Sequence, residues 1–462
     1  MNTLALTEAL WRDLTSSLSD ERETAGILLA GSADAGPDMT LLGRQIEPIP
    51  SDDYIARDAV GLSIRSSGYV PSLKKARGDN VVPIFFHTHP RGRPWPSDHD
   101  VKVNEQLADL FRSRADRPYY VNLIVGGLPS RPTFTGQVFR ASGGPPEQLH
   151  RLRVIGRRWT IIPAADVRDD AAGLLDELFD RQLQAFGSEG QRLISRLRVG
   201  VVGAGGTGSA VCEQLIRLGV GSLVVLDDDV LTLSNLTRIH ESAHDDVARH
   251  KVDIVADSAR RIGTGVAVRA LNGNVAFEEG AREMRSCDVI FGCTDDSAGR
   301  AVLSRLSYWY LMPLIDTGFV ISSSNGKVTG LFGRVTTVLP GEACLICRGR
   351  VDPADVRNQL MSTEERTRLA SEGYAPGLGQ RDPAVMPYTT LVGSIAVSEL
   401  LARLFGIADG GSPSEIILLL HDRRLRTNRV EPDPLHYCAD PDNWGRGDEA
   451  PLLSQMWPSS AI

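Results

Sequence analysis

Two histidines stand one residue apart at the end of a β-rich run, "PIFFHTHPRGRPWPSDHDVK". At i and i+2 of a strand, His87 and His89 put both rings on one face, close enough to share a metal. Asp100, at the start of the helix expected next, can add an oxygen ligand. Two histidines, one carboxylate and one open position make a catalytic zinc arrangement, because the open position holds water. The metal lowers that water's pKa towards neutrality. Glu23, in "ETAGILLAG", is the candidate to take the proton, and Ser97 the candidate to hydrogen-bond an oxyanion on the substrate carbonyl. A second reading uses the same residues: Ser97 and Asp100 match the capping box S-x-x-[DE], which satisfies helix N–H groups. Taken alone, His87 and His89 favour that purely structural reading.

The composite is more specific. It runs E-x-x-G-x-L from Glu23, then H-x-H-P, with seven residues between His89 and Ser97, then S-x-x-D. Over roughly residues 5–150 this resembles the JAMM metalloprotease family, also called MPN-plus or Mov34-type. The resemblance implies zinc on His87, His89 and Asp100, Glu23 as general base, and Ser97 as oxyanion support. It also implies peptide or isopeptide cleavage after the C-terminal glycine of a ubiquitin-like protein.

A second chemistry lies downstream. "GAGGTG" places Gly203, Gly205, Gly206 and Gly208 between an expected strand and helix. Glycines let backbone approach phosphates, and a helix N-terminus favours negative charge. Asp227 or Asp229, after the next strand, can hold ribose hydroxyls. An NAD-dependent oxidoreductase fits as well as an ATP site up to this point. Asn235 and Arg238 in "LSNLTRIH", Lys251 in "RHKVD" and Asp295 in "GCTDDS" separate the two. Hydride transfer does not need two cations around phosphates. Attack on an α-phosphate does: Arg238 and Lys251 can neutralise developing charge and Asp295 can hold Mg2+.

As a set, over about residues 178–425, these residues resemble the adenylating enzymes that activate ubiquitin-like proteins, including the ThiF-, MoeB- and HesA-type members. The resemblance implies that a glycine-ended carboxylate attacks ATP to give an acyl-adenylate and pyrophosphate. It implies a homodimer in which an arginine of the partner completes the pocket; "DRQLQAFGSEGQ" matches that segment and makes Arg181 this residue. The family's zinc pair is represented by Cys344 and Cys347, a C-x-x-C, but no second pair follows. His436 and Cys438, in "LHYCAD", can complete a second, structural zinc site; two reduced thiols at a turn is the alternative. No cysteine lies in 348–392, where such enzymes often carry a thioester cysteine; either the thioester step is absent, or Cys344 or Cys347 performs it, or the adenylate passes straight to a partner, and no catalytic cysteine is assigned. Cys212, Cys287 and Cys293 read as packing residues.

The elements that must position these groups form two α/β modules. The first, residues 1–155, is a JAMM-type mixed α/β domain. Its expected parts are a helix over 1–20 (Leu6, Leu10 and Leu14 at spacing four), strands at "TAGILLAGSADAG", "NVVPIFFHTH" and "YYVNLIVGG", and a helix from "SDHDVK". Residues 156–177 are expected as a linker, 178–430 as a Rossmann-like, doubly wound adenylating domain, and 431–462 as a tail. Alternating strands and helices there imply a parallel sheet, with antiparallel strands added at "GKVTGLFGRVTTVL" and a late apolar helix at "TTLVGSIAVSELLARLFG". The 462 residues suffice for two or three cores. A net charge of −8 argues against nucleic acid or an anionic membrane as the main partner. Six scattered cysteines, no signal-peptide pattern and no apolar run of about 18 residues give the expectation of a cytoplasmic protein.

The preferred expectation is therefore a bifunctional enzyme of a bacterial ubiquitin-like system, a type linked by resemblance to phage defence, in which a conjugating enzyme is a further partner. Activation and trimming of a sulfur carrier, and an inactive scaffold that binds ubiquitin-like proteins, are the alternatives.

Overall fold

The structure, a computed structural model, describes residues 1–36, 38–167, 177–361, 383–407 and 413–458. The chain divides into two compact units. The first holds Met1–Ala171, Trp309–Leu311 and Pro441–Leu453, and the second holds the remainder.

The first unit begins with a strand, Asn2–Thr7 (β1), and only then a helix, Glu8–Ser16 (α1). The expected helix over 1–20 is thus wrong in its first third. Asn2–Thr7 pairs in parallel with strands on both sides, and Leu4, Ala5 and Leu6 are fully buried. Tertiary pairing overrides the spacing of the leucines, and Thr7 caps the helix by accepting from the Leu10 N–H at 3.3 Å. There follow Ala25–Ala35 (β2), Asp38–Pro48 (β3), a small hairpin of Tyr54–Arg57 (β4) and Leu62–Ile64 (β5), and Val70–Gly78 (α2). Then come Val82–Pro90 (β6), Asp98–Ala115 (α3), Tyr119–Leu128 (β7), Arg131–Arg140 (β8), Glu147–Ile155 (β9) and Thr160–Pro163 (β10).

The main sheet has the order β1-β3-β2-β6-β7-β8-β9-β10, and β1 also pairs with β9, so the ladder closes on itself. Alternate residues serve opposite faces. Leu28, Ile84 and Phe86 enter one core with Leu14 and Phe134. Ile27, Leu29 and Phe85 enter the other, with Leu73 of α2 and Phe111 of α3. Phe85 fixes the phase of β6, so His87 and His89 share its face, towards α3. β10 pairs antiparallel with β9, so the expected linker at 156–177 begins inside the first unit; residues 168–176 lie outside the described residues. The expected tail is also divided. Pro441–Leu453 belongs to the first unit, where Asp448 N–H donates to Ser32 O at 2.8 Å and the Asp448 carboxylate accepts from Asp34 N–H at 2.9 Å.

The second unit contains Asp180–Ser195 (α4), Arg198–Val202 (β11), Gly206–Leu218 (α5), Ser222–Leu226 (β12), Lys251–Ile262 (α6) and Ala267–Leu271 (β13). It continues with Glu278–Glu283 (α7), Val289–Gly292 (β14), Ser297–Trp309 (α8; Trp309 falls in the first unit), Leu314–Ser324 (β15), Lys327–Val338 (β16), Pro353–Leu360 (α9), Met386–Phe405 (α10), Glu415–Leu419 (β17) and Arg424–Asn428 (β18). Its sheet runs β13-β12-β11-β14-β15-β16-β17-β18, parallel from β13 to β15 and antiparallel beyond, as the alternation of elements implies. Gly187, with φ of 69°, interrupts α4.

α10 is long and apolar enough to cross a membrane by length and composition, where the sequence reading found no such run. It packs on α5, β15 and β16 and carries a buried ion pair between Glu399 and Arg403 at 2.7 Å, so here it is a core helix.

Candidate active sites

In the first unit, β2 and β6 run antiparallel with Ala25 opposite His87, which brings Glu23, two residues before Ala25, to the level of His89. Thr88, between the two histidines, points the other way and closes a two-way clamp. Its hydroxyl accepts from Thr24 N–H at 2.9 Å and its N–H donates to Thr24 O at 2.9 Å. Glu23 is further held through its backbone by Asp58 O at 2.7 Å and by Arg57 Nε at 2.5 Å.

The side chains converge. His87 Nε2 lies 3.1 Å from His89 Nε2 and 3.5 Å from Asp100 Oδ1, and His89 Nε2 lies 3.9 Å from Asp100 Oδ2 and 3.6 Å from Glu23 Oε1. Zinc with bonds of ~2.0–2.1 Å in a tetrahedron separates its ligand atoms by roughly 3.3 Å. The two histidines fit the ion with Asp100, and also with Glu23, whose carboxylate lies in the same cluster within 4.8 Å of both. His89 Nδ1 is 3.0 Å from Arg93 O; a carbonyl only accepts, so Nδ1 carries the hydrogen and the Nε2 lone pair faces the cluster. Burial, with His89 adding to it and Asp100 opposing, pushes His87 down to about 4, so it is neutral near pH 7. Burial first, then repulsion from Asp100 and Asp58, raises Glu23 to about 7, which suits a group that takes and returns a proton.

Ser97 is the N-cap of α3. Its Oγ accepts from Asp100 N–H at 3.2 Å and donates to Asp100 Oδ2 at 2.7 Å, and Ser97 N–H donates to the same oxygen at 2.7 Å. The capping role is the one realised, and it aims the other carboxylate oxygen at His87. An oxyanion donor would have to release Asp100 first.

In the second unit, β11, β12 and β14 end level: Val202 lies opposite both Leu226 and Gly292. Their carboxyl ends bring Gly203, Asp227 and Asp295 to one edge of the sheet. The glycines have different reasons to be there. Gly203 has φ of +90°, and a Cβ on it would lie 2.7 Å from Cys293 O; a Cβ on Gly208 would lie 1.7 Å from Gly203 O. Both are required by packing. Gly205 has ordinary φ (−72°) and open space where a Cβ would stand. Packing does not demand glycine there, and the residue is the N-cap of α5, where a helix end favours negative charge.

Asp227 spends both oxygens on backbone, accepting from Ala204 N–H at 2.6 Å and Asp229 N–H at 2.8 Å. It shapes the turn with one lone pair of each oxygen and keeps the others, so Asp227 and Asp229 both remain candidates for the ribose. Asp229 has its carboxylate largely exposed (69%) and bonds Lys251 Nζ at 2.5 Å. Lys251 opens α6, and its Nζ is also 3.8 Å from Asp227. Asn235 is buried, with Oδ1 accepting from Thr232 N–H at 3.1 Å. Arg238 turns its guanidinium back to Ser234 O at 2.8 Å, while its carbonyl lies 3.3 Å from a Cβ built on Gly206. That contact sets the "LSNLTR" segment against the glycine turn. Asp295 is exposed beyond β14, and Arg181 is exposed in the first turn of α4.

The ThiF family profile matches residues 179–435. The chain belongs to the ThiF family. Molybdopterin-synthase adenylyltransferase of Escherichia coli is 32% identical over 248 residues, covering 53% of this chain and 87% of that protein. SAMP-activating enzyme E1 of Haloferax volcanii is 32% identical over 165 residues, 36% of this chain and 58% of that one. Among solved structures, E. coli MccB with MccA-N7isoASN superposes at a TM-score of 0.45 and 15% identity, covering 61% of this chain and 78% of that one.

The second unit also gathers the four residues of the expected structural zinc set. Cys344 and Cys347 follow β16, and His436 and Cys438 follow β18 just past the family match. Cys344 Sγ is 3.4 Å and Cys438 Sγ 3.3 Å from His436 Nδ1, and Cys347 Sγ is 3.6 Å from Cys438 Sγ. All four ligand atoms lie within 4.8 Å of one another. Zn–S bonds of ~2.3 Å in a tetrahedron separate ligands by roughly 3.5–3.8 Å, so three cysteines and one histidine fit zinc. A hydrogen bond from Cys438 is the main influence holding Cys344 down to about 5, in the thiolate form a metal needs. Of the remaining thiols, Cys212 and Cys287 are buried, and burial pushes that of the half-buried Cys293 up to about 12.

Sequence reading passed over Thr88, Arg57 and Asp58, which fix or tune Glu23. Thr88 binds a partner 64 residues away, and no local pattern marks such a clamp.

Proposed function

We propose that this protein adenylates the C-terminal carboxylate of a small ubiquitin-like or sulfur-carrier protein with ATP. The observation that carries this is the turn at Gly203–Gly208, open at Gly205, facing the Lys251–Asp229 pair within a ThiF-family domain. Backbone N–H groups at the start of α5 receive phosphate oxygens. Lys251, prepaid by Asp229, can move to the α-phosphate as charge grows there. Asp295, exposed at the same edge, is the carboxylate offered to Mg2+, which would screen the phosphates. Arg181, exposed and away from its own turn, acts in a partner subunit's pocket in this reading. ATP–pyrophosphate exchange tests the proposal, using a panel of β-grasp proteins and synthetic peptides that end in Gly-Gly as free acids. Exchange dependent on the free carboxylate supports it; no exchange with any member sinks it.

The first unit carries a second activity in this proposal: hydrolysis after the C-terminal glycine of the same carrier, supported by the convergence of Glu23, His87, His89 and Asp100. Zinc held by the last three would supply Lewis acidity at the scissile carbonyl. Glu23 accepts a proton from attacking water and returns it to the leaving amine. Cleavage of a Gly-Gly fusion, lost on chelation and restored by zinc, is the measurement; cleavage indifferent to both His87→Ala and His89→Ala refutes it. Both activities address one glycine-ended tail.

A further inference from the structure

The ThiF domain contains a hydroxyl–imidazole–carboxylate relay that adenylation does not use. His240, two residues beyond Arg238, has Nδ1 2.9 Å from Glu213 Oε2 and Nε2 2.8 Å from Thr390 Oγ1. Glu213 lies on α5, and Thr390 near the start of α10. Each residue is only partly buried. The imidazole is held in place by its own backbone, whose N–H donates to Ser209 Oγ at 3.0 Å. The carboxylate is fixed by Arg217 Nε at 2.8 Å.

Burial alone would raise Glu213, but the hydrogen bonds from Arg217 and His240 outweigh it and hold the carboxyl below its ordinary value. An ionised Glu213 accepts, so His240 Nδ1 carries the hydrogen. In the neutral imidazole Nε2 is then the acceptor for the Thr390 hydroxyl. A nucleophile within reach of a base, with the base oriented by a carboxylate, is the arrangement that activates serine and threonine hydroxyls. The neighbouring threonine makes the contrast: Thr389 Oγ1 donates within its own helix to Met386 O at 3.0 Å.

The relay sits beside the phosphate turn. Thr389 Oγ1 lies 3.1 Å from a Cβ built on Gly206, and Ser209, which anchors His240, is in the first turn of α5. Cys212 and Cys287 are buried, burial pushes the thiol of the half-buried Cys293 up to about 12, and the other three cysteines belong to the Cys/His cluster.

We propose that Thr390 accepts the acyl group from the acyl-adenylate, forming an oxyester where a cysteine would form a thioester. The proposal rests on the adenylation reading above. Thr390 Oγ1 attacks the acyl carbon and gives its proton to His240 Nε2. The new bond is carbon to Thr390 oxygen; the bond from the acyl carbon to the phosphate oxygen breaks, and AMP leaves with the electron pair. An amine or thiol acceptor then takes the acyl group from the ester, and His240 returns the proton to Thr390.

The test uses the full chain, MgATP and whichever Gly-Gly-ended panel member supports pyrophosphate exchange, with acid quench and peptide mapping by mass spectrometry. The expected adduct is the carrier minus water on Thr390, stable to dithiothreitol and removed by alkaline hydroxylamine. Thr390→Val lowers the ratio of adduct to exchange by about 100-fold or more, His240→Gln does so comparably, and Thr390→Ser keeps it. Exchange without an adduct, or an adduct that dithiothreitol removes, overturns the proposal and leaves adenylation standing. In that outcome a lower melting temperature in Thr390→Val marks the relay as a structural pin. No exchange with any member removes the adenylation reading and this one with it.

Discussion

Gly205→Ala and Gly208→Ala separate a glycine kept for a ligand from one kept for the fold. At Gly208 an added Cβ would stand 1.7 Å from Gly203 O, closer than any relaxation of one side chain can relieve, because the obstacle is backbone. Overpacking of this kind costs ~1–3 kcal/mol or more, so Gly208→Ala is expected to melt well below wild type or to fail to fold. At Gly205 the Cβ meets nothing within 4 Å, and φ of −72° suits alanine. Alanine is a poorer N-cap than glycine, but it also restricts the unfolded chain, and these effects are each within about 1 kcal/mol. Gly205→Ala should therefore unfold close to wild type. Its methyl group nonetheless occupies the ground a phosphate must approach. Losing one charge-assisted hydrogen bond of ~1.5–3 kcal/mol weakens ATP by roughly 10- to 150-fold. Thermal denaturation and ATP–pyrophosphate exchange, run side by side, read the two effects. A Gly205→Ala protein with wild-type stability and a wild-type KM for ATP would refute the placement of the phosphates.

Three further outcomes follow from the geometry. Metal analysis of the full chain should find two zinc ions per chain, one falling away in His87→Ala/His89→Ala and the other in Cys344→Ser/Cys347→Ser; unchanged content in either variant contradicts that site. Glu23→Gln should keep its zinc but lower Gly-Gly fusion cleavage by about 10²- to 10⁴-fold, and equal loss of metal would make Glu23 a ligand instead. Glu415, buried at Thr336 and paired with Arg350 at 2.8 Å, is pushed up by burial, but hydrogen bonds from Arg350 and Asn428 outweigh this and hold it at about 2 against an ordinary 4.5. Because its folded value is depressed, its contribution is complete above about 4.5 and is lost as pH falls towards about 2. The stability gap between wild type and Glu415→Gln in urea melts should shrink across that window, and a constant gap would show that the charge is not what Arg350 holds.

The local chemistry was largely legible in the sequence. Period two in β6 put His87 and His89 on one face, S-x-x-D announced the cap of α3, and the strand–glycine–helix pattern placed the phosphate turn. These are determined by backbone geometry over a few residues, which sequence spacing reports directly. Four features depended on where distant segments meet. Asn2–Thr7 is a strand because partners on both sides take its hydrogen bonds, although its leucines read as helix. Pro441–Leu453 belongs to the first unit because it finds β2, and nothing in its own composition says so. His436 reaches Cys344 across 92 residues, and His240 reaches Thr390 across 150. By itself the sequence determined which groups could ligate, donate or attack. Tertiary structure decided which of them share a site, and that the hydroxyl hydrogen of Ser97 is already spent on Asp100, because hydrogen bonds and burial are assigned only when the chain has closed.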